Sequence, residues 1–177
     1  MPYIYGVLSK NKDHSDPFFI FGSGRNGSTL LNLILNQHTK LFLPPEQYFL
    51  GKSIIKFQLY NYLIWRDLVK IIYAELIEET ENHLWNFKPN GILHQAFYFK
   101  KKERTLQNLI NEIYFEYARQ SNLNGVIWGD TTPHNSIFIN EIYDCFPKAK
   151  YIFLIRDGRD VAAAFKKGGK DIFDELA

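Results

Sequence analysis

The chain has 177 residues, 46% of them hydrophobic and 16% aromatic, which is enough apolar material to bury a core and excludes global disorder. Its 21 Lys and Arg residues nearly balance its 19 Asp and Glu residues, so the net charge of +2 argues against a nucleic-acid-binding protein. The longest apolar runs are about one strand long, and no secretory signal is visible, so we expect no membrane span and a cytoplasmic location. The single cysteine, Cys145, excludes an intramolecular disulfide and a cysteine-rich metal site.

The first half of the chain begins with a strand, a glycine-rich loop and a helix. Residues 18–21 form a short apolar run that predicts a buried strand, and residues 28–37 carry leucine and isoleucine at helical spacing. A longer helical pattern follows, and we predict one continuous helix whose buried face is formed by Ile55, Leu59, Tyr62, Trp65, Leu68, Ile72 and Leu76. Proline and glycine in residues 82–91 then predict a loop.

The second half alternates helices with strands. We predict helices over residues 103–120, 135–146 and 160–167, and strands over residues 126–128 and 151–155. Three apolar strands separated by helical segments predict an α/β fold, in which a central parallel sheet is flanked by helices in three layers. We expect one domain spanning residues 1–177.

Ligands of such sheets bind beyond the carboxyl ends of the strands, so the loops over residues 22–28, 129–135 and 156–160 are the places to search for a site. The first of these loops favours anion binding. Its glycines let successive N–H groups point into one concavity, the following helix adds the partial positive charge of its N-terminus, and Arg25 adds a full charge. The alternative is a plain glycine-rich connection between a strand and a helix.

The spacing from Gly22 to Gly27 also invites comparison with the P-loop of nucleoside triphosphatases. Ser28 occupies the place of the P-loop lysine that reaches the terminal phosphates, which disfavours an ATPase or kinase.

Residues 17–31 resemble the 5′-phosphosulfate loop of sulfotransferases that use 3′-phosphoadenosine 5′-phosphosulfate (PAPS). In that family a basic residue, a serine, a glycine and two hydroxyl residues occupy these places, and Asn26 stands here where serine is usual, with an amide that can still donate a hydrogen bond. The resemblance implies a P-loop-like fold and a donor site formed by Gly24, Arg25, Asn26, Gly27, Ser28 and Thr29.

Residues 151–161 are similar to the 3′-phosphate motif of the same family. Arg156 follows the strand and can present a planar guanidinium to a phosphate, while Ala164 stands where the family has serine. The alternative is that Arg156 and Arg159 only pair with neighbouring aspartates on the surface.

Glu46, directly after Pro44 and Pro45, resembles the general base of bacterial and tyrosylprotein-type sulfotransferases, and a surface glutamate after a proline pair is the alternative. Residues 128–135 resemble a further family segment, in which Thr131 replaces the usual lysine.

The resemblance therefore implies transfer of a sulfuryl group from PAPS to a hydroxyl-bearing acceptor of unknown class, with Glu46 and Arg25 as catalytic residues and no metal. Family members generally continue beyond the second motif, so we expect a chain that lacks the family's C-terminal part. The alternatives are a P-loop nucleotide kinase or hydrolase, and a truncated nucleotide-binding remnant without catalysis. A thermal-shift comparison of Mg-ATP with adenosine 3′,5′-bisphosphate would separate the first alternative from the sulfotransferase.

Overall fold

The structure is a computed structural model that describes residues 16–81, 85 and 88–167. Within these residues the strands are β1 (Phe18–Phe21), β2 (Leu41–Phe42), β3 (Ile127–Asp130) and β4 (Lys150–Phe153). The α-helices are α1 (Ser28–Leu35), α2 (Phe49–Leu59), α3 (Trp65–Glu81), α4 (Asn90–Phe97), α5 (Leu106–Gln120), α6 (Ile139–Cys145) and α7 (Gly158–Lys167). Two 3₁₀ helices span Lys101–Glu103 and Pro133–Phe138.

The four strands form one parallel sheet in the order β2-β3-β1-β4, which confirms the predicted α/β fold with a central parallel sheet. The prediction of three strands was wrong by one, because β2 has only two residues. So short a strand has no sequence pattern of its own. It is defined by its pairing, Leu41 with Ile127 and Phe42 with Trp128.

Helices cover both faces of the sheet. One face presents Phe19, Phe21 and Trp128 to the main core, which includes residues of α2 to α6. The other face presents Phe18 and Ile20, against which the half-buried leucines of α1 pack. The connection after β1 therefore leaves on one face and the connection after β3 on the other. Neighbouring parallel strands with such opposed connections open a crevice at their carboxyl ends, where ligands of this fold class bind.

The single long helix that we predict in the middle of the chain is wrong. Helices α2 and α3 are separate and pack against each other, joined by a turn over residues 60–64. Leu59 and Tyr62 are exposed, whereas Leu50, Ile54 and Phe57 form the buried face of α2. Because of this turn, the buried faces of α2 and α3 do not continue one another. The predicted buried face is therefore correct only in α3, where Trp65, Leu68, Ile72 and Leu76 are buried.

Buried charge also links these two helices. Glu75 of α3 has only 2% of its side chain exposed, and it forms ion pairs with Lys56 and Lys52 of α2. A buried carboxylate without a partner would be costly, so these lysines compensate it.

Several other boundaries differ from the predictions. Helix α4 begins at Asn90, inside the predicted loop over 82–91, and residues 82–84, 86 and 87 of that loop lie outside the described residues. The predicted helix over 135–146 is a 3₁₀ helix followed by α6. Strand β4 lies at an edge of the sheet and is largely exposed, and Ile155 lies beyond its end with 89% of its surface exposed. In the described part of the chain, no helix combines the length and the apolar character that crossing a membrane requires.

Candidate functional site

The glycine loop connects β1 to α1 at the carboxyl edge of the sheet. Arg25 (φ 61°) and Gly27 (φ 102°) both adopt left-handed backbone conformations, and a Cβ at Gly27 would meet open space. Within the described residues, no hydrogen bond uses the backbone N–H groups of Gly24, Arg25 or Gly27. The loop therefore presents successive unengaged N–H donors beside the N-terminus of α1, which is the arrangement that binds anions.

Asn26 braces this loop from inside. It is only 7% exposed, its Oδ1 accepts from the Ser28 N–H at 3.0 Å, and its Nδ2 donates to the Leu154 carbonyl at 3.2 Å. We expected the Asn26 amide to face a ligand. Both of its polar atoms instead bond within the protein, and the bond to Leu154 joins the loop after β1 to the end of β4. Gly22 is required here, since a Cβ would overlap Asn26 Nδ2 and crowd the Leu154 carbonyl oxygen. A role of Asn26 in anion binding stays a prediction.

Arg156 brings the second predicted loop to the first. Its Nη1 donates to the Arg25 carbonyl at 3.0 Å, and its Nε lies 3.9 Å from Asp160. Arg25 in turn reaches the Ala164 carbonyl of α7 at 3.5 Å. Arg25 and Arg156 are both exposed. The hydrogen bond between them therefore brings two solvent-accessible guanidinium groups, from residues 131 apart in the sequence, to one edge of the sheet.

The alternative, in which these arginines only pair with neighbouring aspartates on the surface, describes Arg159 better than Arg156. Arg159 makes two hydrogen bonds to the Asp157 carboxylate, at 2.7 and 3.0 Å, and these bonds lower the pKa of Asp157 below its ordinary value. The ion pair of Arg156 with Asp160 is longer, at 3.9 Å.

Hydrogen bonds from three parts of the chain fix the segment that carries Glu46. Asn32 of α1 donates to the Pro44 carbonyl at 3.3 Å, and the Trp85 indole N–H donates to the Pro45 carbonyl at 2.7 Å. The Gln47 N–H donates to the Thr132 hydroxyl at 3.0 Å. Glu46 itself is half-buried, on a backbone whose neighbouring peptide groups are fixed on both sides.

Asp130 is the centre of a buried polar cluster at the end of β3. Its carboxylate accepts from the Tyr114 hydroxyl and, at 2.7 Å, from the Thr132 N–H. Burial raises the pKa of Asp130, and burial together with the nearby carboxylate raises the pKa of Tyr114 well above its ordinary value. Because Thr132 also accepts from Gln47, this cluster links the β3 loop to the Glu46 segment.

A cavity of about 880 Å³ adjoins this region. Its lining includes Thr29 at the start of α1, Glu46 after β2 and Thr131 after β3. The start of α1 and the loops that follow β2 and β3 therefore each contribute a polar side chain to one concave space, whereas Arg25 and Arg156 lie outside its lining.

Sequence reasoning missed the residues that brace the site. Asn32 in α1 and Asn36 directly after this helix stand four residues apart among leucines and isoleucines, and this spacing was the available signal. Asn36 hydrogen-bonds both the N–H and the carbonyl of Leu43. Trp85 lies about 40 residues from the segment that it supports, and no local pattern could have indicated that contact.

The structure is similar to that of the sulfotransferase domain from the Synechococcus PCC 7002 olefin synthase, with 24% sequence identity and a TM-score of 0.46. The match covers 92% of this chain and 57% of that domain's chain, so the present chain spans less than two thirds of it. No curated protein matches the sequence. Residues 17–171 match the model of the Sulfotransferase family, and the chain therefore belongs to that family.

Proposed function

We propose that this chain transfers a sulfuryl group from PAPS to a hydroxyl acceptor. The observation that carries the proposal is the hydrogen bond from Arg156 to the Arg25 carbonyl, because it joins the two loops that resemble phosphate-binding motifs. A donor with phosphates at both its 3′ and 5′ positions needs cations at two neighbouring places, and these loops supply one each.

The residues present fit such a donor. Unengaged N–H groups of Gly24, Arg25 and Gly27 and the hydroxyls of Ser28 and Thr29 would hold the phosphosulfate, and Arg156 would hold the 3′-phosphate. The Arg25 guanidinium would stabilise the charge that develops on the phosphate as it leaves. When bound, the donor supplies the sulfuryl group and leaves as adenosine 3′,5′-bisphosphate.

Glu46 is proposed as the general base. It would accept the proton of the acceptor hydroxyl while that oxygen forms its bond to sulfur and the bond from sulfur to the phosphate oxygen breaks. Hydrogen bonds that the Pro44 and Pro45 carbonyls accept and the Gln47 N–H donates support this role, since a base must be held in one orientation to act within hydrogen-bond reach.

A thermal-shift comparison tests the proposal. At about 100 times its dissociation constant, adenosine 3′,5′-bisphosphate should raise the melting temperature by roughly 5–10 °C without a metal, and Mg-ATP should raise it less. Arg25→Ala should reduce the shift, whereas Arg119→Ala should leave it unchanged, because Arg119 pairs with Glu112 and Glu116 of its own helix α5. A larger shift with Mg-ATP would instead favour a nucleotide kinase or hydrolase.

The role of Glu46 has its own test. Glu46→Gln keeps the size of the side chain but cannot accept a proton, so turnover should fall by about 10²–10⁴-fold. The affinity for the bisphosphate should stay unchanged in the same variant. Equal losses of turnover and affinity would contradict a role as base.

A further inference from the structure

The cavity beside Glu46 extends across the sheet rather than staying at its carboxyl edge. Glu46 and Thr131 follow their strands, whereas His38 and Asn124 line the same cavity from the loops that precede β2 and β3. In a parallel sheet, loops before and after the strands lie at opposite edges. The cavity therefore runs along β2, between that strand and helix α1.

The charge of the lining differs from that of the donor loops. Among the described residues that line the cavity there is no lysine or arginine, and Glu46 is the single carboxylate. The other described lining residues combine aliphatic side chains, such as Leu33, Leu41 and Leu123, with amides, hydroxyls and the imidazole of His38. In contrast, the loops proposed to bind the donor carry Arg25 and Arg156.

From this separation we infer that the acceptor is an uncharged alcohol or phenol with an apolar body, which occupies the cavity along α1 with its hydroxyl towards Glu46. The inference rests on the proposed function and adds to it the class of acceptor. A volume of about 880 Å³ is within the range of cavities that enclose small organic ligands. An acidic peptide or an anionic polysaccharide would place negative charge beside Glu46, where the described lining residues include no lysine or arginine to compensate it, which costs affinity.

A matched pair of probes tests the inference. The first is para-pentylphenol, and the second is the same phenol with a carboxylate in place of the terminal methyl group. Binding to the full chain is measured by ligand-observed NMR in the presence and absence of adenosine 3′,5′-bisphosphate. We expect the neutral phenol to bind about tenfold or more tightly than the carboxylate.

Variants of α1 locate the binding. Leu33 lines the cavity and is 60% exposed, while Leu30 is 64% exposed on the same helix and does not line it. Leu33→Trp should abolish binding of the neutral phenol, and Leu33→Arg should shift the preference about tenfold towards the carboxylate. Leu30→Trp and Leu30→Arg should change neither.

The outcomes separate this inference from the proposed function. Equal or tighter binding of the carboxylate by the wild-type chain, no measurable binding of the neutral phenol, or an unchanged affinity in Leu33→Trp would overturn the inference. Binding of the bisphosphate is recorded on the same samples. Its absence would overturn the proposed donor site, while the preference between the two phenols would still decide the character of the cavity.

Discussion

Asn26 joins the glycine loop to strand β4, and replacing it should loosen both parts of the proposed donor site. Asn26→Ala removes the acceptor of the Ser28 N–H and the donor to the Leu154 carbonyl. Asn26→Ser restores the residue that is usual in the resembling family. Its hydroxyl can still accept from the Ser28 N–H, but it is too short to reach Leu154.

The expected loss follows from the two bonds. A buried hydrogen bond contributes about 1 kcal/mol, so Asn26→Ala should cost about 2 kcal/mol and Asn26→Ser about half of that. For a chain of this size, 2 kcal/mol corresponds to a fall in melting temperature of about 4–8 °C.

Urea unfolding followed by circular dichroism measures these losses, with Ser23→Ala, an exposed position in the same loop, as the control. A loss below about 0.5 kcal/mol for Asn26→Ala would refute the brace. So would a loss for Asn26→Ser as large as that for Asn26→Ala, because the graded effect depends on two separate bonds.

Three further predictions concern backbone conformation, pH and support of the base. Gly27→Ala should cost about 1–2 kcal/mol of unfolding free energy, because its φ of 102° disfavours any Cβ even in open space. The raised pKa of Asp130 adds stability that is complete below its ordinary value of 3.8 and is lost as pH rises through the raised value. The unfolding free energy of the wild type minus that of Asp130→Asn should therefore decrease as pH rises above 3.8. Trp85→Phe removes the hydrogen bond to Pro45 and shrinks a fully buried side chain, so it should cost more than the roughly 1 kcal/mol of the hydrogen bond alone, with lower turnover but unchanged bisphosphate affinity.

A control variant or a contradicting result accompanies each of these three predictions. Gly158→Ala, also in open space but without a left-handed φ, should be neutral or stabilising, and equal effects at both glycines would contradict the argument from φ. A difference between wild type and Asp130→Asn that stays constant or grows with pH would show that burial does not dominate at this carboxyl. A loss of bisphosphate affinity in Trp85→Phe would mean that the indole supports the donor site rather than the base.

The parts of the fold that the sequence predicts correctly depend on local patterns. Strand β1 and the start of helix α1 at Ser28 were placed correctly, because a short apolar run ends in glycines and is followed by helical spacing. Strand β2 and the break between α2 and α3 were missed. Strand β2 exists only through its pairing with β3, and a break of five residues preserves enough apolar spacing to imitate one helix.

In the candidate site, too, the residues found from the sequence are those that a local pattern indicates. Glycines, arginines and Glu46 were found because their chemistry is visible in a few adjacent residues. Asn32, Trp85 and the cluster around Asp130 were not assigned roles, since they act through contacts between residues far apart in the sequence. Asn26 shows the limit most clearly: its amide chemistry was predicted, but its partner Leu154, 128 residues away, is known only from the fold.

The central claim is that the two loops form one site for a donor with two phosphates, and calorimetric titration with adenosine 3′,5′-bisphosphate tests it most directly. Wild-type protein should release heat on binding, and Arg25→Ala and Arg156→Ala should each weaken the affinity by about ten- to a hundredfold through loss of a charge-assisted hydrogen bond. Arg119→Ala changes the net charge equally and should bind like the wild type. The absence of heat with the wild type, or an affinity of Arg25→Ala equal to that of the wild type, would contradict the account.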